Sequence, residues 1–271
     1  MMFSVVRHLA LVVAVLALQT IAAHAGWLIV NDGGDQTLIS RGRLAIVPSN
    51  ANGTSVALDL ARGRMWLADA GRRVYWEGPV EEFCRAVRSA TAGALRQMDD
   101  MQDALKDMPP EQREQVLQMM KKMGRAPGQA APPKVTVSVE RTGETETIAG
   151  LTARKYRVLA DGRLYEELWL TSDAALMREL DLGRAPDTLG RMFACHMGAA
   201  GRGDNVEDSA EYRALYGAGW PLRAVYHGEG GASGRSSVVR AERRDVSDRE
   251  LAPPAGFRAA PIDEVFGLRE R

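Results

Sequence analysis

The stretch "KYRVLADGRLYEEL", Lys155 to Leu168, decides how the rest of the chain is read. Asp161-Gly162 at its centre is the dipeptide a two-residue type I′ turn needs, because both central residues take positive φ and Asp and Gly tolerate it. Apolar and polar residues alternate on either side, so the turn predicts a β-hairpin and also its pairing. Val158 is expected opposite Tyr165, Tyr156 opposite Glu167 and Arg154 opposite Trp169 on one face. On the other face, Leu159 is expected to meet Leu164, Arg157 to meet Glu166 and Lys155 to meet Leu168. Neither face is purely polar, so each needs a partner, and Arg154 is placed either to lie over the Trp169 ring or to be an exposed rim charge.

The same rhythm extends outward. From Gly26 to Glu77, short strands alternate with the turn signals Asn31-Asp32-Gly33-Gly34, Asn50-Ala51-Asn52-Gly53, Arg62-Gly63 and Ala70-Gly71, which predicts an antiparallel meander. Strands resume at Lys134, run through the hairpin to Thr171, and return at Pro221–Gly228 and Ser236–Asp245. Between the two strand-rich parts the period changes. Val80, Cys84, Val87, Thr91, Ala94, Met98, Met101, Leu105 and Met108 recur in steps of four and three, a heptad seam. Pro109-Pro110 ends it, and Glu111 to Met123 begins a second, shorter helix. A helical hairpin over 79–123 is therefore expected, followed by a Pro-, Gly- and Ala-rich linker at 124–134. Ser172-Asp173 is a capping signal opening a helical segment over 173–217. The expected fold is α+β: one strongly curved antiparallel sheet, a half-barrel over 26–271, with a long helical hairpin insertion and short helices covering one face.

The N-terminus predicts location. Arg7 and His8 precede an apolar run from Leu9 to Leu18, and Ala23-His24-Ala25 is the small-x-small pattern a signal peptidase reads. Residues 1–25 are thus expected to be a cleavable signal peptide directing the chain to the periplasm, with no transmembrane segment left after cleavage. Lys and Arg total 35, as do Asp and Glu; this balance argues against nucleic acid as a partner. Cys84 and Cys195 would enter an oxidising compartment. A disulfide between them would close a loop of about 110 residues and add roughly 4 kcal/mol; two isolated buried thiols are the alternative.

The residue pattern supplies little chemistry for catalysis. Of the four histidines only His196 and His227 lie beyond the leader, and neither has a metal-ligand spacing. Gly228 to Gly234 fits neither a phosphate loop nor a nucleophile elbow. The carboxylate pairs Glu81-Glu82, Asp99-Asp100 and Glu166-Glu167 are adjacent in sequence rather than facing. No catalytic residue, metal site or cofactor is expected, and the chain reads as a non-enzyme. The methionines of the insertion follow the heptad seam, as adaptable packing residues do.

Four segments carry a family resemblance: "TGETETIAGLTARKYRVLADGRLYEELWLTSD" (142–173), "SRGRLAIVPSNANGTSVALDLARGRMWLADAGRRVYWE" (40–77), "GWPLR" (219–223) and "LAPPAGFRAAPIDEVFG" (251–267). Together they resemble exported proteobacterial proteins related to the lipoprotein-carrier (LolA/LolB-like) half-barrel group. That resemblance implies a curved sheet, closed by helices, around an apolar cavity for acyl chains. The chain departs from the carriers in its 79–123 insertion and in lacking a cysteine to accept a lipid at the mature terminus.

The large sheet side chains Met65, Tyr75, Tyr156, Val158, Tyr165 and Trp169 are the candidates for lining such a cavity, or alternatively for filling the sheet's core. The leading expectation is a periplasmic protein binding a hydrophobic ligand: a lipid, an acyl chain or a lipoprotein. The alternative is an envelope interaction or regulatory module that docks a protein partner through Met98, Met101, Leu105, Met108, Met119 and Met120.

Overall fold

The computed structural model describes residues 25–106, 108, 109, 111–115, 118, 135–181, 188, 195, 206–227 and 234–267. Six strands come first: β1 (Ala25–Asn31), β2 (Gln36–Ser40), β3 (Arg43–Val47), β4 (Thr54–Asp59), β5 (Arg64–Asp69) and β6 (Val74–Pro79). Helix α1 (Val80–Lys106) follows, then β7 (Val137–Ile148), β8 (Leu151–Ala160), β9 (Arg163–Thr171) and α2 (Ala174–Leu180). A 3-10 turn (Val206–Asp208), α3 (Ala210–Ala218), β10 (Trp220–Tyr226), β11 (Arg235–Asp245), β12 (Arg258–Ala259) and α4 (Ile262–Val265) complete the described elements.

All twelve strands form one mostly antiparallel sheet in the order β12-β6-β5-β4-β3-β2-β1-β11-β10-β9-β8-β7. Two meanders are thus joined where β11 returns to pair with β1, and the sheet ends at β12 and β7 without closing. Only β12 runs parallel to its neighbour, β6. The turn chemistry explains the tight connections. Arg41-Gly42, Ala149-Gly150 and Asp161-Gly162 each have positive φ at both central positions, as type I′ hairpins require.

Strict alternation puts two cores on the two faces of the first meander. Trp27, Ile39, Leu44, Leu58 and Met65 are successive cross-strand neighbours, as are Ile29, Thr37, Ile46, Val56, Leu67 and Trp76. These residues face the helices, and Val80, Phe83, Cys84 and Val87 of α1 and Leu176 and Leu180 of α2 complete that core. The spacing of the α1 residues is the i, i+3, i+4, i+7 stripe of a helix laid on a sheet. Gly78 permits the adjoining packing, since a Cβ there would lie 2.3 Å from Cζ2 of Trp76. The intervening residues Leu28, Leu38, Ala45, Ala57, Trp66 and Ala68 face the other way, where Val246 and Leu251 of the C-terminal strap cover them. The Trp66 indole NH donates to the Leu251 carbonyl at 2.9 Å, which ties the strap down.

Asp173 caps α2 as its sequence position implied, its carboxylate accepting from the backbone N–H of Ala175 and Leu176. Ser209 does the same for α3 through the N–H of Tyr212. Cys84 and Cys195 are joined in a disulfide, fastening α1 to a segment 111 residues further on. β7 is a single strand with an irregular register between Arg141 and Thr145. Thr142 stitches that irregularity by donating its hydroxyl to the Lys155 carbonyl.

The first arm of the expected helical hairpin is α1. The second arm is described only at 111–115 and 118, where the chain is helical and the Arg113 guanidinium donates to the carbonyls of Leu105 and Met108. The rest of that arm, with Met119 and Met120, lies outside the described residues, as do residues 1–24, where a signal peptide is expected, and the expected linker at 124–134.

Candidate functional site

One extra residue in β9 builds the site. Leu159 pairs with Leu164 as the turn dictates, but Val158 then pairs with Glu166, so Tyr165 is bulged out of register. Every later pair shifts by one: Arg157 meets Glu167, Tyr156 meets Leu168, Lys155 meets Trp169 and Arg154 meets Leu170. A one-residue slip exchanges the faces of a strand. The expected pairs Val158–Tyr165, Tyr156–Glu167, Arg154–Trp169, Arg157–Glu166 and Lys155–Leu168 are corrected accordingly.

Leu168 and Leu170 therefore turn inward, against Tyr212 and Leu215 of α3, and Glu166 goes in with them. A pocket of about 320 Å³ opens between α3 and strands β1, β2, β9, β10 and β11, a size at the lower end of small-ligand sites. Its apolar walls are Ile29, Leu168, Leu170, Leu215, Trp220, Leu222 and Val238, and its polar lining includes Glu166, Tyr212, Tyr226, Asp35 and Arg223.

Glu166 has no exposed surface. Its Oε2 accepts from the Tyr212 hydroxyl at 2.8 Å, while Oε1 makes no hydrogen bond of normal geometry. Burial pushes its carboxyl up to about 7, and nearby Glu207 adds to the rise, against the opposing pull of the Tyr212 and Tyr226 hydroxyls. The bulged Tyr165 donates its hydroxyl to Oε1 of Glu207 at 2.6 Å. Burial first and this carboxylate second hold the phenol well above its ordinary value. Two glutamates and three tyrosines thus gather where α3 and the preceding 3-10 turn meet the sheet.

On the opposite side of β9, Trp169 lies between two cations, Lys155 Nζ at 5.1 Å and the Arg223 guanidinium at 5.2 Å from its ring centroid. These take the role expected of Arg154. Lys155 Nζ reaches Glu167 at 2.8 Å and Glu144 at 3.3 Å, and Arg223 reaches Glu146 at 2.6 Å. Hydrogen bonding to Lys155, then to His227, lowers the Glu167 carboxyl, and Glu167 in turn raises Lys155. Lys155 and Arg223 thus each have a carboxylate partner on this face.

The six expected cavity residues are dispersed rather than gathered. Met65 is in the helix-covered core, whereas Tyr75 packs on the strap-covered core. Tyr156, Val158 and Tyr165 belong to the cluster under α3, and Trp169 packs with Ile148, Ala153 and Leu222. None of the six lines the 320 Å³ pocket. The residues that do were visible as apolar letters at 168, 170, 215 and 222, but nothing in the sequence marks which strand face they occupy. Of the docking candidates, Leu105 is buried and Met108 is half-buried; the side chains of Met98 and Met101 lie outside the described residues. Among the described residues no group of three or more His, Cys, Asp or Glu is placed to hold a metal ion. No helix there is long and apolar enough to cross a membrane.

No family model and no curated protein matches the chain significantly. Among solved structures it is similar to PNGF-II in a C2 crystal form, at 9% identity over 90% of this chain and 32% of that one, with a TM-score of 0.38. It is also similar to PNGF-II in a P21 form, at 8% identity over 87% and 31% of the two chains, with a TM-score of 0.33. The chain spans about a third of the length of these solved chains.

Proposed function

We propose that this is an exported, non-enzymatic periplasmic protein that holds a hydrophobic ligand, a lipid, acyl chain or acylated protein segment, on the helix-covered face of a half-barrel sheet. The observation that supports the reading is the 320 Å³ pocket beneath α3, whose walls are predominantly aliphatic and aromatic in the manner of small-ligand sites. The Cys84–Cys195 disulfide is compatible with an oxidising compartment, as the leader-like residues 1–25 imply. The open, mostly antiparallel twelve-stranded sheet is compatible with the curved sheet that the lipoprotein-carrier resemblance implies. The ligand site in this reading is moved from the six residues expected at first to the walls formed by Leu168, Leu170, Leu215 and Leu222.

The test is native mass spectrometry of the protein recovered from the envelope of its own host, followed by organic extraction. A bound lipid or acylated peptide at near-stoichiometric amount is expected, and it is expected to be lost from a Leu168→Arg variant that still folds. An empty protein that also takes up no alkyl-chain probe in solution would refute the reading.

A further inference from the structure

Glu166 is a buried carboxyl whose charge the protein leaves uncompensated. The groups facing it are Tyr212 from α3, Tyr226 from β10, Glu207 from the 3-10 turn and Tyr165 from its own strand, with Val158 opposite on β8. None of these is a cation, and one is a second carboxylate. Buried charges are ordinarily paired, and removing a partner from a buried hydrogen-bonding group costs more than an exposed bond is worth. The one cation lining the pocket among the described residues, Arg223, is engaged by Glu146 and by the Trp169 ring. The other lining carboxylate, Asp35, is engaged by Asn31 and by the Ser49 backbone N–H. The pocket therefore offers an apolar cavity, unbalanced negative character and a carboxyl oxygen, Oε1, that no donor meets in good hydrogen-bond geometry.

We propose that the ligand is an amphiphile whose head is a cationic hydrogen-bond donor, a primary ammonium in its simplest form, seated on Oε1 of Glu166 with its tail along Leu168, Leu170, Leu215 and Leu222. The inference rests on the pocket being the ligand site. At about 30 Å³ for a group the size of water, 320 Å³ accommodates about ten heavy atoms, so a decyl chain is the matched probe. Tyr226 stands across the strand register from Glu166, lines the same pocket and is 42% exposed. Rotation of its ring is the movement that admits the head. A carboxylate-headed ligand is disfavoured, because it would meet Glu166 and Asp35 with like charge.

Calorimetric titration of the purified protein with decylammonium, decanol and decanoate separates the possibilities. At pH 8, with Glu166 ionised, decylammonium is expected to bind about tenfold or more tightly than either of the others, as for a hydrogen bond to a charged group. The advantage should shrink at pH 5.5, where Glu166 is protonated, and vanish in Glu166→Gln. Decanol and decanoate binding as tightly as decylammonium would leave the pocket reading standing and overturn this inference. An advantage that persists at pH 5.5 or in Glu166→Gln would overturn it as well. Failure of all three probes to bind would overturn the pocket reading and the inference together. The headgroup ranking and its pH dependence are read on the wild-type protein, so the test survives a variant that does not fold.

Discussion

Replacing Glu166 with Gln should change how stability depends on pH, and the size of the change follows from where the carboxyl is. Its ordinary value of 4.5 is raised by burial to about 7 in the folded protein. Between those two values the folded chain retains a proton that the unfolded chain has released, so stability falls as pH rises through the window. At 1.36 kcal/mol per tenfold change in affinity, the loss from this group approaches 3 kcal/mol by pH 8. Complete burial means that solvent screening does not dilute the effect. Asp35, Glu167 and Glu250 are all shifted downward, so their contributions are lost on acidification below the carboxylate range, with the opposite sign. Urea unfolding at pH 5, 6, 7 and 8 isolates the group, because whatever else titrates is common to both proteins and cancels in the difference. Relative to wild type, Glu166→Gln should gain about 2–3 kcal/mol between pH 5 and pH 8. With a urea slope of about 1–3 kcal/mol/M, the relative midpoint moves by about 1 M or more. A difference that stays constant across the four pH values would refute the reasoning, since the carboxyl would then titrate alike in both states.

Gly78→Ala should destabilise by about 1–3 kcal/mol, because the new Cβ would lie 2.3 Å from the Trp76 ring; an unchanged unfolding midpoint would mean the indole has room to swing. Trp66→Phe removes the donor to the Leu251 carbonyl and should cost about 1–3 kcal/mol, with faster proteolysis within 246–257. Equal cleavage rates would mean that apolar packing alone holds the strap. Replacing both Cys84 and Cys195 with Ser opens a link spanning 111 residues and should lower stability by about 2–4 kcal/mol, matching the wild type under reductant. Trp169→Ala should cost less than the 3–5 kcal/mol typical of a core tryptophan, because the ring is only half-buried and stacks with Lys155 and Arg223. A loss in the full core range would place it in the interior instead.

The antiparallel sheet was legible because its determinants are local. The type I′ turn at Asp161-Gly162 depends on two residues, and strand alternation depends on neighbours two apart. The Asp173 cap and the amphipathic start of α1 are local in the same sense. What the pattern concealed was pairing across the chain. That β11 returns to β1 and merges the two meanders depends on residues about 200 apart, and no spacing within either strand announces it. The strap over Trp66 was likewise hidden: Pro253, Pro254 and Gly256 mark irregular backbone, but not which sheet face it covers.

The site was lost at a single residue. Along Leu164-Tyr165-Glu166-Glu167-Leu168-Trp169-Leu170, apolar side chains occur on both alternations, so either register buries large residues and either carries one glutamate inward. Regular continuation from the Asp-Gly turn would have brought Tyr165, Glu167 and Trp169 to one face. The observed bulge instead aligns Glu166, Leu168 and Leu170 inward. It also leaves Glu167 where Lys155 and His227 reach it, and Trp169 where two cations cover its faces. The cations flanking Trp169 therefore have their carboxylates, and the price is one glutamate inside with an oxygen that no donor meets in good geometry. Bulges re-aim side chains, and here the re-aimed residue is the carboxyl at the apolar pocket. A structural bulge would have been served equally well by Gln or Leu at 166, with no buried charge to accommodate. The carboxyl is what the proposed ammonium head would require, so the strand irregularity and the proposed ligand chemistry are two aspects of one feature of β9.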